Sequence, residues 1–227
     1  MARYDKALQA VRTRIADAAR RAGRDTSEVT LLAVSKTFPS AAVREAYAAG
    51  QRAFGENYVQ EAATKRADLA DLPGIEWVLI GPLQSNKTAL AADVFDRIES
   101  IDRLKIAQRL SDARSPARPP LPLLVQVNIS GEATKSGVAP EHAVMLASDV
   151  ASLPRIVFAG FMGIAAPTED IAKQHMQFAM LRSCRDQARA LGLRCDILSM
   201  GMTGDLDAAI AEGSTQVRVG TAIFGER

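Results

Sequence analysis

Thr30-Leu31-Leu32-Ala33-Val34-Ser35-Lys36-Thr37 is the stretch around which this sequence is interpreted, because it places a lysine directly after an apolar run. Residues 30–34 suit a buried strand, and the lysine stands where that strand ends. An ammonium group in that place must reach water, pair with an anion or be kept neutral for chemistry. A desolvated lysine can form a Schiff base with an aldehyde such as pyridoxal 5′-phosphate (PLP). The alternative is a lysine that only marks where the strand reaches the surface.

The same alternation of strand and helix continues along the whole chain. Strands are predicted at 30–36, 53–55, 75–81, 96–101, 123–129, 156–164, 195–200 and 216–223. Helices are predicted at 3–22, 39–49, 56–69, 83–93, 102–114, 140–153, 169–191 and 205–212. Strands that alternate with helices form parallel sheets through right-handed crossovers, and eight such units close into a (β/α)8 TIM barrel. The additional N-terminal helix is available to complete the outer ring.

A doubly wound open sheet is the competing fold. It usually carries a glycine-rich phosphate fingerprint after its first strand, and the sequence has none there. The segment 115–122 holds four of the ten prolines and is either a domain linker or a surface loop. Because the strand and helix pattern continues on both sides of it, the loop is favoured and residues 1–227 are predicted to form a single domain.

Composition excludes several classes of function. The 28 basic and 26 acidic residues leave a net charge of +2, which offers no electrostatic argument for nucleic acid or membranes as partners. No run approaches the roughly 18 apolar residues of a membrane span, and the N-terminus lacks a signal peptide pattern. Cys184 and Cys195 form neither a metal pattern nor a disulfide framework, and His142 and His175 are isolated. We therefore expect a cytoplasmic protein with reduced thiols and no metal site.

Chemistry in such barrels gathers at the carboxyl ends of the strands. Two segments there are typical of phosphate binding: 199–204, which leads into the helix predicted at 205, and Gly220-Thr221 after the last strand. Backbone N–H groups at a helix start, with a hydroxyl beside them, bind anions, and the loops after strands seven and eight are the usual phosphate site. Ordinary cap and turn chemistry is the alternative.

Arg218 alternates with Val217 and Val219, so it points to the face opposite the valines, which favours the barrel mouth. An arginine there can contact a phosphate or the nitrogen of a pyridine ring. In the second position it keeps the ring nitrogen unprotonated and weakens PLP as an electron sink. An outward arginine paired with a helix carboxylate is the alternative.

Six motifs occur in order and together resemble one known family over residues 29–225. They are Ala33-Val-Ser-Lys-Thr37, Phe54-Gly-Glu-Asn-Tyr-Val-Gln-Glu61, Ile80-Gly-Pro-Leu-Gln-Ser-Asn-Lys87, Lys135-Ser-Gly137, Ser199-Met-Gly-Met202 and Val217-Arg-Val-Gly-Thr-Ala-Ile-Phe-Gly225. The chain closely resembles the pyridoxal phosphate homeostasis protein family. The resemblance implies a PLP-binding barrel similar to the N-terminal domain of alanine racemase, of PLP fold type III, without the C-terminal β-domain.

The resemblance also implies roles for particular residues. It implies a Schiff base between PLP and Lys36, with Asn57 lining the ring pocket. It implies a phosphate held by Ser199, Gly220 and Thr221, with Arg218 near the ring nitrogen or the phosphate. The remaining members of the predicted cofactor-binding set are Met162, Met202 and Thr203.

Two neighbouring positions depart from the family pattern. Thr203-Gly204 stands where a Ser-Asp-Asp run is expected after Met202. Thr203 keeps a hydroxyl, so we expect phosphate binding to survive. Gly204 replaces a residue that carries a carboxylate in the family pattern, and we assign no role to that carboxylate.

The resemblance implies a protein that buffers PLP or delivers it to apo-enzymes, without assigned catalytic turnover. A PLP-dependent amino-acid racemase is the alternative, and it needs a second base, usually a tyrosine from a second domain. Tyr58 is the one plausible second base, and 227 residues leave no room for the β-domain. A barrel that binds another phosphorylated metabolite without a Schiff base is the third possibility.

Two further lysines stand in the motif loops. Lys87 and Lys135 are either parts of a second PLP site or exit route, or solvated loop lysines. A barrel with its own closed core is expected to be a monomer.

Overall fold

The computed structural model describes residues 4–132 and 135–226 and contains a closed barrel of parallel strands. The strands are β1 Thr30–Val34, β2 Ala53–Glu56, β3 Glu76–Leu79, β4 Arg97–Ile101, β5 Leu121–Val127, β6 Ile156–Gly163, β7 Ile197–Ser199 and β8 Gln216–Val219. Each pairs in parallel with the next, and β8 pairs with β1 to close the ring. The predicted (β/α)8 barrel is confirmed.

The helices alternate with the strands. They are α1 Asp5–Arg21, α2 Ser40–Ala48, α3 Val59–Asp68, α4 Thr88–Val94, α5 Leu104–Ala113, α6 Pro140–Ala151, α7 Ile171–Ala190, α8 Leu206–Ala211 and α9 Thr221–Phe224. The helix α1 packs against α8 and α9, so it completes the outer ring as expected. The predicted beginning of this helix at residue 3 lies outside the described residues.

The buried apolar side chains form two sets, one between the strands and the helices and one inside the barrel. Strand side chains that point outward, such as Phe54, Trp77 and Phe161, belong to one continuous apolar core with the helices. A second set of buried apolar side chains lies outside that core cluster and comprises Leu32, Val78, Leu124 and Met162. Because side chains alternate along a strand, this second set faces into the barrel.

Several boundaries differ from the predictions. The helix predicted from residue 56 begins at Val59, because Glu56 still pairs with Leu79 as the last residue of β2. The fifth strand begins at Leu121 and includes Pro122, so the proline-rich loop is shorter than predicted. A proline fits near the start of a strand, where its missing N–H does least harm.

The last strand is also shorter than predicted. Strand β8 ends at Val219, and the helix α9 follows it at positions where the strand was predicted to continue and no helix was predicted. Gly220 marks the change of direction: a Cβ there would lie 3.1 Å from the carbonyl oxygen of Val34. The chain turns into α9 directly against the end of β1.

Burial raises the pKa of the Cys184 thiol to about 11 and that of Cys195 to about 12, so both thiols stay protonated at neutral pH. Both cysteines are free. Within 4–132 and 135–226, no helix is long and apolar enough to cross a bilayer. The same residues contain no cluster of His, Cys, Asp and Glu suited to a metal ion.

Candidate functional site

A cavity of about 880 Å³ opens at the carboxyl ends of the barrel strands. The predicted site residues that line it are Lys36, Asn57, Met202, Thr203, Arg218, Gly220 and Thr221. They come from the ends of β1, β2, β7 and β8. Met162 and Ser199 are the predicted residues that do not line the cavity.

Lys36 stands in a tight turn just beyond β1, half-buried at the cavity wall. The Ser35 N–H donates to the carbonyl oxygen of Gly55 at 3.0 Å, which ties the turn to β2. The Phe38 N–H donates to the carbonyl oxygen of Ser35 at 3.1 Å and closes the turn around the lysine. The backbone at Lys36 is therefore anchored on both sides.

Arg218 is buried in the floor of the cavity and points inward, as its alternation with two valines indicates. Its Nη1 donates to the carbonyl oxygen of Ser199 at 2.6 Å and to Ser199 Oγ at 2.8 Å. Its Nη2 donates to the carbonyl oxygen of Gly163 at 2.8 Å. Burial lowers the pKa of Arg218, but a guanidinium begins so high that it stays charged.

Ser199 lies beneath Arg218, inside the barrel, and its side chain faces away from the cavity that it was expected to line. Its hydroxyl donates to Glu99 Oε2 at 2.6 Å and accepts bonds from Arg218 and Gln216. These bonds use the lone pairs and the proton of the hydroxyl, so none of its hydrogen-bonding capacity is left for an anion in the cavity.

Met162 also lies beneath the cavity. It pairs in the β6 register with Ser199 of β7 and Gln126 of β5, and its side chain is fully buried. Gln126, the register partner of Met162 on β5, does line the cavity. Met162 therefore supports the floor without facing the opening.

The loop after β7 is held from two directions. The Met202 N–H donates to Asp205 Oδ1 at 2.5 Å, and Arg14 Nη1 donates to the carbonyl oxygen of Thr203 at 2.6 Å. Burial raises the pKa of the Asp205 carboxyl. The second bond reaches the loop from α1, so the additional N-terminal helix helps to shape the cavity rim.

The backbones that follow β2 and β3 pack closely where they form one wall of the cavity. A Cβ on Gly81 would lie 2.4 Å from the carbonyl oxygen of Asn57, so only glycine lets the ends of β2 and β3 approach so closely. This contact presses the backbone of Asn57 against β3.

Several lining residues were not predicted. Gln126, Ser136 and Ile164 line the cavity. Alternation along β5 places Gln126 on the same inward face as Leu124, so the strand pattern already indicates that Gln126 points into the barrel. Lys135, left open as a second site or a solvated lysine, lines the rim and is exposed, whereas Lys87 lies outside the lining set.

The charges and shape of the cavity fit a phosphorylated pyridine aldehyde. Its lining cations are Lys36, Lys135 and Arg218, and the described lining includes one carboxylate, Glu226. The amine at one wall suits the aldehyde of PLP, and the buried guanidinium at the floor suits the pyridine ring. The loop of hydroxyls and small residues suits the phosphate. Tyr58 is 57% exposed and is not a lining residue.

Comparison with known proteins adds a family to this geometry. The model of the alanine racemase N-terminal domain matches residues 7–227. The chain is 57% identical over 217 residues to a pyridoxal phosphate homeostasis protein of Pseudomonas aeruginosa, covering 96% of this chain and 93% of that one. It is 50% identical over 225 residues to the protein of the same name in Escherichia coli, covering 97% and 95%.

A solved structure is similar as well. PipY of Synechococcus elongatus, solved with PLP bound, superposes with a TM-score of 0.81 at 40% identity, covering 93% of this chain and 100% of that one.

Proposed function

This chain belongs to the pyridoxal phosphate homeostasis proteins, within the alanine racemase N-terminal domain family, and from that premise we propose that it holds PLP on Lys36 and buffers or delivers it in the cell. The carrying observation is the convergence of Lys36, Arg218 and the loops after β7 and β8 on one cavity. The whole chain acts as one PLP-binding barrel.

Bound PLP supplies an aldehyde that condenses with an amine, releasing water. Lys36 provides that amine from the turn after β1. The neighbouring bonds at Ser35 and Phe38 hold the turn in place, so the lysine needs little reorganisation before it reacts.

The phosphate is held by the loops after β7 and β8. Thr203 and Thr221 offer hydroxyls, and the first N–H groups of α9 have no acceptor within their own helix. Gly204 adds no carboxylate to the lining beside that of Glu226, and the absence of a negative charge at this position favours binding of an anion. Ser199 does not serve as a phosphate ligand through its side chain.

Arg218 would contact the pyridine ring of PLP from the floor of the cavity. Ser199 and Glu99 act beneath it: Ser199 accepts from the guanidinium, and Glu99 holds Ser199. Asn57 and Met202 form walls, and Met162 supports the floor. An arginine beside the ring nitrogen disfavours its protonation and so disfavours carbanion chemistry.

The carrier function is favoured over a racemase by the residues around the cavity. Tyr58, the one candidate for a second base, points into solvent and away from the lining set. An open cavity suits release and transfer better than chemistry that requires exclusion of water. The proposal includes a monomer, apo-enzymes as recipients and a cytoplasmic location, where reduced thiols are expected.

The first test is an absorbance spectrum of the purified protein with PLP, before and after borohydride, followed by peptide mapping. We expect a yellow protein that borohydride bleaches, with the reduced adduct on Lys36. A protein that stays colourless and unlabelled would contradict the proposal and leave the barrel as a binder of another phosphorylated metabolite.

Delivery is tested at the rim of the cavity. We expect Lys135→Ala to change the rate of PLP transfer to an apo-enzyme by up to about fivefold, the range for one solvated charge. Lys87→Ala is the control, because Lys87 lies outside the cavity lining, and it should leave the rate unchanged. Equal rates for both variants and the unmodified protein would remove Lys135 from the exit route.

A further inference from the structure

A cluster of one lysine and two glutamates, of which Lys65 and Glu56 are buried and Glu61 is partly exposed, lies behind the turn that carries Lys36. Lys65 Nζ on α3 is 2.7 Å from Glu56 Oε1 and 2.6 Å from Glu61 Oε1. Glu56 is fully buried and Lys65 is nearly so. The Ser35 hydroxyl also donates to Glu56 Oε1, at 2.6 Å.

The cluster contacts the backbone on both sides of Lys36. Lys65 Nζ donates to the carbonyl oxygen of Ser35 at 2.7 Å. The Thr37 N–H donates to Glu61 Oε1 at 2.5 Å. One ammonium and one carboxylate therefore hold the residue before Lys36 and the residue after it.

The backbone at Thr37 needs such support. Its φ is +67°, a left-handed conformation that a β-branched residue rarely adopts. Strained backbone of this kind persists where surrounding contacts determine it, and it concentrates at ligand sites. The bond to Glu61 is a contact that fixes this conformation.

The charges of the cluster argue against a role in stability alone. Burial raises the pKa of Glu56, and Glu56 Oε2 has no hydrogen-bond partner within the part of the chain that the structure describes. A buried ion pair with an unsatisfied oxygen is a poor source of stability compared with apolar packing. Its contacts on either side of Lys36 offer a reason for its presence.

We propose that Lys65, Glu56 and Glu61 are positioning residues that hold the Ser35–Thr37 backbone so that the Lys36 amine faces the bound aldehyde. This inference rests on the proposed function, since it assumes that Lys36 reacts with PLP. None of the three residues lines the cavity, so they act through the turn and not on the ligand.

The test compares two ligands in the full-length Glu61→Ala protein. PLP forms the Schiff base, whereas pyridoxine 5′-phosphate lacks the aldehyde and reports binding of the ring and phosphate alone. We expect PLP to bind about tenfold more weakly and the Schiff base to form more slowly, because the amine is no longer oriented. Pyridoxine 5′-phosphate should bind within about twofold of the unmodified protein, since its contacts are intact.

Gln60→Ala is the matched control, because Gln60 is an exposed neighbour on the same helix. It should leave both ligands unaffected. Equal weakening of both ligands by Glu61→Ala would show a structural role only and overturn the inference, and so would unchanged binding of both. If the unmodified protein forms no Schiff base at all, the proposed function itself fails, which is a distinct result.

A second variant removes the buried charges together. The double variant Lys65→Met/Glu56→Gln removes both charges of the buried ion pair, so neither charge is left without its counterion. Folding is therefore better preserved than in either single variant. We expect the same selective loss for PLP. Equal weakening of both ligands, or unchanged binding of both, in the double variant would remove Lys65 and Glu56 from the positioning set. Glu61→Ala decides alone if the double variant does not fold.

Discussion

Lys36→Arg is expected to abolish the Schiff base at every PLP concentration. Arginine keeps the positive charge on a side chain that is only slightly longer than that of lysine, but a guanidinium does not form an imine with an aldehyde at neutral pH. The measurement is an absorbance titration with PLP, followed by borohydride reduction and mass analysis of the protein. We expect no imine absorbance and no reduced adduct.

The same variant separates the two kinds of phosphate barrel. The phosphate loops after β7 and β8 are unchanged, so weak non-covalent binding of PLP should remain. A protein that only binds a phosphorylated metabolite would lose little affinity on Lys36→Arg.

Lys105→Arg provides a control, because Lys105 is exposed on α5 and lies away from the cavity lining. It should form the Schiff base as the unmodified protein does. A borohydride-stable adduct in Lys36→Arg would contradict the prediction and direct attention to Lys135 at the cavity rim.

Arg218→Met is expected to lower both stability and PLP affinity. Methionine fills much of the space but leaves the carbonyl oxygens of Ser199 and Gly163 without their donor. It also removes a positive charge from an interior that holds the buried carboxylate of Glu99. Glu99 keeps its ion pair with Arg97, so the main cost comes from the two buried carbonyl acceptors, at about 1 to 3 kcal/mol each in the free energy of unfolding.

Urea unfolding without PLP measures the first effect, and a titration with PLP on the folded variant measures the second. Arg194→Met is the control, since Arg194 is 83% exposed in its side chain, and it should change the free energy of unfolding by less than about 0.5 kcal/mol. If Arg218→Met unfolds at the same urea concentration as the unmodified protein, then the guanidinium does not stabilise the barrel floor.

The barrel itself was predictable because its signal is local. Short apolar strands alternate with helical periodicity along the chain, and closure of eight parallel strands follows from the handedness of their connections. Strand ends also identify the site, since every carboxyl end in a closed barrel faces the same side. For that reason the sequence alone predicts that Lys36, Asn57, Thr203 and Arg218 meet.

Predictions of element boundaries were wrong where the local sequence preference differs from the contacts made in the folded barrel. Glu56 follows a glycine and precedes a helical pattern, so the sequence favoured a helix start there. In the fold its carboxylate is held by Lys65 and its backbone pairs with β3, which extends the strand. Lys65 has the helical spacing of Ala62 and Leu69, and only that spacing hinted that it is buried.

The sequence by itself determined the barrel and placed Lys36 among the residues at the carboxyl ends of its strands, because both depend on periodicity and on the position of a residue along its own strand. Only the tertiary structure decided what Ser199 does and what holds Lys36 in place. The hydroxyl of Ser199 bonds with Glu99, 100 residues away in the chain, and Lys65 on α3 reaches Ser35 at the end of β1. Such bonds are chosen by which polar groups the closed barrel buries together, and that choice exists only once the strands have met.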